Sequence, residues 1–238
     1  MKKLITRKIV LDLETTGINK FGRCYEGHRI IEIGAIEISS RHFTGNNFHT
    51  YLNPNRLIDP MALSIHGITE DFLLDKPFFN QIADKFLNYI QGAELIIHNA
   101  SFDIGFINYE FQMLNRNIPK IESLCRITDT LSLARKLFPG KRNSLDALCS
   151  RYKINHKQRR FKHGALLDAE ILADIYLAMT GEQISFIFGN SNYFSESSQK
   201  SSPIRIVKAS KEENIFHEEY LTLMTKTTGI CLWRTQTL

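Results

Sequence analysis

Three runs with the pattern of β-strands lie near the start of the chain, before any long segment with helical spacing. They are residues 8–13, 29–38 and 48–52. Turn-rich segments separate them, which is typical of neighbouring antiparallel strands. A helix is predicted at residues 78–91 and a buried strand at 94–98. Strands followed by alternating strands and helices predict an α/β fold, with a mixed sheet flanked by helices.

Further helices are predicted in the second half of this region, each from apolar residues at helical spacing. Ser144 has the character of an N-cap residue for one of them. The predicted helices cover residues 101–115, 128–137, 144–151 and 165–179.

Composition is that of an ordinary globular protein. The 238 residues are 43% hydrophobic and 23% charged, which suits one large domain and a tail. No apolar run approaches the roughly 18 residues of a membrane span, and the N-terminus lacks a secretory apolar region. We therefore expect no membrane contact and a cytoplasmic location. The net charge of +5 is compatible with a polyanionic partner.

The residue composition of the sequence changes at Gly181. We predict a folded domain at residues 1–181, a short peptide and flexible linker at 182–203, and a docking tail at 204–238. The linker is rich in Ser and Asn. The tail regains apolar residues but is too short to bury a core of its own. Docking on a partner explains such a tail, and a disordered end is the alternative.

Two carboxylates stand at alternate positions of the first predicted strand. Asp12 and Glu14 occur in the segment DLETTG. Side chains alternate between the faces of a strand, so both carboxylates are expected on one face. Two adjacent anions are costly unless a cation lies between them. The alternative is a strand end whose acids meet solvent.

Two more acidic segments lie at predicted helix starts. Asp103, in HNASFD, falls in a first helical turn, where it has the alternative role of complementing the helix dipole. Asp168, in HGALLD, falls in another first turn, and His163 precedes it on a loop. A histidine titrates near neutral pH and can take a proton from water, although a solvated loop histidine is the alternative.

The combination of these segments is more informative than any one of them. Carboxylate ligands suit Mg²⁺ or Mn²⁺ rather than zinc. The four cysteines are scattered without a CxxC pair, which predicts reduced thiols rather than a zinc site or disulfides. Two divalent cations about 4 Å apart can stabilise the attacking and leaving oxygens of a phosphoryl displacement.

The three acidic segments resemble the exonuclease motifs of the DEDDh 3′–5′ exonucleases, a family with a ribonuclease-H-like fold. Longer segments resemble the proofreading (epsilon) subunits of bacterial DNA polymerase III. These segments are YEGHRIIEIGAIEI, FTGNNFHTYLNP, HGIT, FLLDKP and FPGKRNSLDALC, and the resemblance extends over nearly the whole chain to CLW.

The resemblance implies a set of site residues. Asp12, Glu14, Asp103 and Asp168 would hold two divalent cations, and His163 would be the general base. His66 would contact the terminal nucleotide beside Asp12, Glu14 and Asp168, although a turn histidine is the alternative. The substrate-binding set also includes Met61, which stands where close relatives carry a glutamate near the 3′-terminal sugar. We expect weaker or different contacts to that sugar.

The resemblance also implies partners. The substrate would be a single-stranded 3′ end of DNA. QISFIF resembles a sliding-clamp peptide, in which Gln183, Phe186 and Phe188 would make the contacts; the alternative is the apolar end of a helix. The tail would bind the alpha (catalytic) subunit of DNA polymerase III, with Trp233 as anchor. A small theta-like accessory subunit would bind the folded domain where it is present.

A basic segment precedes His163. Residues 151–162, RYKINHKQRRFK, would hold the phosphates of an entering strand, or form a solvated basic loop.

The predicted function is therefore proofreading by hydrolysis of the 3′-terminal phosphodiester. A stand-alone exoribonuclease is one alternative, and the linker and tail argue against it. A catalytically silent scaffold between polymerase and clamp is the other, and the complete set of acidic residues with His163 argues against that.

Overall fold

Two long antiparallel strands form the centre of the fold. β1 (Arg7–Thr15) and β2 (Ile30–Ser39) pair along their whole lengths. The outer side of β2 pairs with the short strands β3 (His42–Phe43) and β4 (Phe48–Tyr51), both antiparallel. The predicted antiparallel arrangement of the first strands is confirmed.

The computed structural model describes residues 7–154, 164–181 and 209–229. The chain divides into two compact units, Met1–Asn190 and Ser191–Leu238. Among these described residues, no helix is long and apolar enough to cross a lipid bilayer.

On the edge of β1 away from β2, the sheet continues with parallel strands. β5 (Glu94–Ile97) pairs with β1, and β6 (Arg126–Asp129) pairs with β5. The order within the described residues is β3-β2-β1-β5-β6, with β4 also on β2. The sequence predicted β5 but not β6, and the helix predicted from residue 128 begins only at Thr130. β6, with the sequence RITD, was missed because it is exposed or only partly buried and lacks the apolar run of β5, which is equally short.

Helices cover both faces of the sheet. The longer ones fall where the sequence predicts them, whereas the three shortest were not predicted. The Ser144 hydroxyl caps its helix by accepting a hydrogen bond from the backbone N–H of Ala147 at 3.3 Å. The helices of the first unit are α1 (Pro60–His66), α2 (Glu70–Leu73), α3 (Phe79–Ile90), α4 (Ala100–Met113), α5 (Ile121–Leu124), α6 (Thr130–Leu137), α7 (Leu145–Tyr152) and α8 (Ala165–Gly181).

The described residues form three buried apolar clusters, and two of them lie on opposite faces of β1. Ile9 and Leu11 belong to the cluster that contains α3 and α4, whereas Val10 belongs to the cluster with α7 and α8. Phe86 is fully buried, with its ring centroid 5.3 Å from that of Phe48. Burial of one such side chain contributes about 1.5–3 kcal/mol. A strand covered on both faces reads as a nearly continuous apolar run, as β1 does.

The described cysteines are free thiols. Cys125 and Cys149 are buried and Cys24 is partly buried. Burial raises the pKa of Cys125 to about 11, which keeps its sulfur protonated and unreactive.

Helix α8 begins directly against β2. A Cβ atom added to Gly34 would lie 2.2 Å from the carbonyl carbon of Ala165 and equally close to the backbone nitrogen of Leu166. Backbone therefore meets backbone at this point, and only glycine permits the approach. The contact sets the distance between the first turn of α8 and the sheet.

The second unit contains one described helix, α9 (Lys211–Thr228). Ser210 and Glu213 form a capping box at its start. Several of its apolar side chains are exposed: Ile215, Phe216, Tyr220 and Leu223.

Gly34→Ala is expected to lower the free energy of unfolding by about 1–3 kcal/mol, because α8 must move away from β2. Urea unfolding measures the change. Gly181→Ala is the matched control at the other end of α8, where the added Cβ meets only the flexible Arg41 guanidinium at 3.0 Å. Equal stability of both variants and wild type would contradict the close contact.

Candidate active site

The last residues of β1 present two carboxylates to one face of the sheet. Asp12 lies opposite Gly34 of β2, and Glu14 lies opposite Glu32. Both side chains are partly buried. Because β1 is held on both sides by other strands, the spacing between these carboxylates is fixed by the sheet.

Asp168 joins them from the first turn of α8. Its backbone N–H donates to the Gly164 carbonyl oxygen at 2.9 Å, and its side chain is only 4% exposed. Ligand oxygens of Asp12, Glu14 and Asp168 all lie within 4.8 Å of one another. Three carboxylates at this spacing repel one another, and a divalent cation offsets that repulsion. The donor set is all oxygen, which fits a hard cation such as Mg²⁺ or Mn²⁺.

Asp103 lies near this group but is not one of the three. It occupies the first turn of α4, after a tight turn in which Asn99 adopts a left-handed φ of 66°. Burial, with a smaller contribution from the charge of Asp129, raises the pKa of Asp103 to about 8. Hydrogen bonds from the backbone of Asp103 and Leu13 oppose this rise. A cation nearby would favour the ionised carboxylate.

Asp129 fixes the turn that precedes α4, and sequence reasoning missed it. Its carboxylate accepts hydrogen bonds from the backbone of Asn99 at 3.0 Å, from Leu131 at 3.0 Å and from the Ser132 hydroxyl at 2.7 Å. Although burial acts in the opposite direction, these donors hold the pKa of Asp129 below its ordinary value. The segment Asp-Thr-Leu-Ser at a helix start was the available signal.

A cavity of about 420 Å³ opens beside Glu14. His66 is buried in its wall, and the backbone N–H of Ile68 donates to His66 Nδ1 at 3.0 Å. Met61 lies on the same helix, α1, and is 68% exposed. The remaining lining is largely apolar and includes Ile18, Ile65 and Phe102.

Two segments that line the cavity, the chain after β1 and the start of α1, meet at Gly17. Gly17 has a φ of 139°, and a Cβ atom there would lie 2.4 Å from the Asp59 carboxylate. The Asp59 backbone N–H donates to the carbonyl oxygen of Thr16 at 2.8 Å. The chain after β1 and the start of α1 are therefore in direct contact.

Five residues singled out by the sequence lie outside the described part of the chain. Their roles remain predictions. They are His163, Gln183, Phe186, Phe188 and Trp233.

Arg151, the first residue of the basic segment, is engaged within the fold. Its guanidinium donates to the Asn143 side chain at 3.2 Å and to the Arg142 carbonyl at 3.0 Å. It also lies 4.1 Å from the centroid of the Phe138 ring. These contacts assign Arg151 to packing, and residues 155–162 of that segment are outside the described ranges.

Comparisons with known proteins agree with this fold. The sequence model of the exonuclease family RNase T matches residues 9–176. Among solved structures, Exonuclease X in complex with 5′ overhanging duplex DNA is 28% identical, with a TM-score of 0.56, over 74% of this chain and 92% of that one. The nuclease domain of 3′hExo, a DEDDh family member, has a TM-score of 0.62 at 18% identity over 76% of this chain and 95% of its own. The predicted ribonuclease-H-like fold is confirmed.

The class of protein is therefore a 3′–5′ exonuclease. Curated relatives named DNA polymerase III subunit epsilon match along the full length. Those of Salmonella typhimurium and Escherichia coli are 57% and 55% identical, each over 98% of this chain and 100% of the relative. That of Haemophilus influenzae is 49% identical over 95% of this chain and 94% of the relative. The chain belongs to the epsilon subunits of DNA polymerase III, within the exonuclease family.

When divalent cations are removed, the free energy of unfolding is expected to fall as the pH rises. Asp103→Asn is expected to make that fall smaller. The folded carboxyl keeps its proton to about pH 8, whereas the unfolded chain loses it near the ordinary aspartate pKa of 3.8. The folded state thus binds more protons in this window, so the free energy of unfolding falls by at most about 1.4 kcal/mol per pH unit.

Urea unfolding in EDTA at about pH 5 and about pH 7 measures this slope. Asparagine cannot ionise, so its variant is expected to show a smaller fall than wild type. Asp71→Asn, at an exposed position of α2, is the control and keeps the wild-type slope. Equal slopes for Asp103→Asn and wild type would show that burial does not perturb this carboxyl.

Proposed function

We propose that this 3′–5′ exonuclease removes mispaired nucleotides from the 3′ end of a growing DNA strand with two divalent cations, Mg²⁺ or Mn²⁺. Asp12, Glu14, Asp103 and Asp168 hold the cations, and His163 is the general base. One observation carries the proposal: carboxylates from β1 and from α8, remote in sequence, lie within 4.8 Å of one another. Such a group is expensive to assemble without a cation.

The donor set determines which cations suit the site. All four side chains offer carboxylate oxygens, which favour Mg²⁺ or Mn²⁺ over softer metals. When bound, these cations neutralise negative charge that develops on the phosphodiester during its hydrolysis.

The protein residues supply proton transfer and position. A water oxygen bonds to phosphorus, and the bond from phosphorus to the 3′ oxygen of the neighbouring nucleotide breaks. His163 takes a proton from the water, and the departing 3′ oxygen gains a proton to become a hydroxyl. The products are a nucleoside 5′-monophosphate and a strand one nucleotide shorter.

The cavity beside Glu14 suits the terminal nucleotide. Its apolar walls, with Phe102 and Ile65, contact a base without reading its edge, as a proofreader requires. His66 contacts the same nucleotide from the buried wall. Met61 offers a thioether in place of a carboxylate, so its contact with the terminal sugar is van der Waals.

The polymerase is the proposed partner of the C-terminal unit. The relatives carry the name of a polymerase subunit, and the exposed apolar side chains of α9 support a docking role. We assign residues 204–238 to the alpha subunit of DNA polymerase III, with Trp233 as anchor. Residues 1–181 form the exonuclease domain in this proposal.

Two more partners are proposed from the sequence. Gln183, Phe186 and Phe188 bind the sliding clamp, within a peptide and linker segment of residues 182–203. A theta-like accessory subunit binds the exonuclease domain. The place of action is the cytoplasm, where the bacterial chromosome is replicated.

Asp12→Ala is expected to lower the rate of Mg²⁺-dependent removal of a mispaired 3′ nucleotide by at least about a hundredfold, because a metal ligand is lost. The measurement is single-turnover degradation of a primer–template by the full chain. Glu26→Ala, at an exposed acid of the loop between β1 and β2, is the control.

An RNA strand of the same sequence is degraded in parallel. Faster degradation of RNA than of DNA would favour the exoribonuclease alternative. Activity that survives Asp12→Ala on either substrate, or no metal-dependent activity in wild type, would contradict the proposed function.

Separate partner sites predict separable losses. Trp233→Ala is expected to weaken binding of the polymerase alpha subunit by about thirtyfold, as expected for a central aromatic anchor. Gln183→Ala combined with Phe188→Ala is expected to weaken binding of the sliding clamp instead. Surface plasmon resonance with each partner measures both, and each variant is the other's control. Loss of both partners in one variant would contradict separate sites.

A further inference from the structure

The carboxylate of Glu32 is buried beneath the start of α8. It is not a member of the acidic group, which consists of Asp12, Glu14 and Asp168. The Glu32 side chain is 2% exposed. Its Oε2 accepts a hydrogen bond from the backbone N–H of Ala165 at 3.1 Å, and its Oε1 accepts one from His49 Nε2 at 2.8 Å. Burying a carboxylate is costly, so these hydrogen bonds are needed to offset the loss of water.

Glu32 connects the two elements that carry the acidic group. In the sheet it lies directly opposite Glu14 of β1. Through its hydrogen bond it holds Ala165, the first residue of α8. Backbone N–H groups in a first helical turn have no partner within the helix, and a negative charge there is favourable.

The position of Asp168 depends on this attachment. Asp168 follows Ala165 by three residues, within a single helical turn. A turn that shifts against the sheet carries the carboxylate with it. Displacement of a reacting or ligating group by about 1 Å can lower catalysis by about a hundredfold.

We propose that Glu32 is a positioning residue of the exonuclease: by accepting the hydrogen bond of Ala165 it fixes the first turn of α8, so that Asp168 meets Asp12 and Glu14. The inference rests on the proposed function, because it concerns the geometry of the cation site. Glu32 acts mainly through the length of its side chain, which allows contact with Ala165, and only secondarily through its charge.

Two substitutions in the full chain distinguish the effect of the side-chain length of Glu32 from the effect of its charge. Glu32→Gln keeps the length and an oxygen acceptor but loses the charge. Glu32→Asp keeps the charge but is one methylene shorter, so it loses contact with Ala165. Binding of Mn²⁺, followed by the electron paramagnetic resonance signal of the free ion, provides a readout independent of activity.

Glu32→Asp is expected to weaken Mn²⁺ binding by about tenfold or more, whereas Glu32→Gln stays within about threefold of wild type. The matched control is Glu94→Asp. Glu94 is also buried, and it accepts a hydrogen bond from the Thr128 hydroxyl, but it lies opposite Lys8 at the other end of β1. This control is expected to bind Mn²⁺ as wild type does, even where its melting temperature falls.

Two results would overturn the proposal: wild-type Mn²⁺ binding by Glu32→Asp, or a loss in Glu32→Gln as large as that in Glu32→Asp. Should Glu32→Asp not fold, Gly34→Ala displaces the same helical turn without altering Glu32. Folded Gly34→Ala with wild-type Mn²⁺ binding would equally overturn it.

Binding of Mn²⁺ to wild type and to Asp12→Ala is measured in the same way. Failure of wild type to bind Mn²⁺, or unchanged binding by Asp12→Ala, would refute the cation site and the proposed function with it. If both behave as expected and Glu32→Asp resembles wild type, only the role of Glu32 is refuted.

Discussion

Mutual repulsion among Asp12, Glu14 and Asp168 is the constraint on which the rest of the structure depends. At separations within 4.8 Å, two carboxylate charges repel by roughly 3 kcal/mol in a partly screened protein environment. Elements free to move apart would do so. The site therefore requires a strand held on both sides and a helix packed rigidly against it, and these are the features of β1 and α8.

The apolar clusters on the two faces of the sheet provide that rigidity. Ile9 and Leu11 pack towards α3 and α4, and Val10 packs towards α7 and α8. Close-packed interiors deform little, so the strand and helix that carry the acidic residues are held in place. Gly34 adds a backbone contact at the point where α8 meets the sheet. The sequence of β1 thus serves packing at its start and carries two members of the acidic cluster at its end.

Periodicity explains what could be predicted from sequence and what could not. The long strands and helices were predicted because alternation or helical spacing repeats several times within each. α1 has 7 residues, too few for a helical repeat, and β6 lacks the apolar run by which the equally short β5 was predicted. The acidic segments were identified from residue type, from their positions on predicted strands and helices, and from their resemblance to the exonuclease motifs. The cavity was not, because it depends on the approach of Asp59 to Gly17, which no local pattern records.

Two buried carboxylates in this fold are held by hydrogen-bond donors of the protein. Glu110, 1% exposed, accepts hydrogen bonds from Arg29 Nε and Nη2, each at 2.8 Å. Glu32 receives His49 and the start of α8. In each case protein donors satisfy the carboxylate, which stabilises the fold. Ligand oxygens of Asp12, Glu14 and Asp168 lie within 4.8 Å of one another. The hydrogen bond from Ala165 to Glu32 thus links a carboxylate held by protein donors to the helix that carries Asp168.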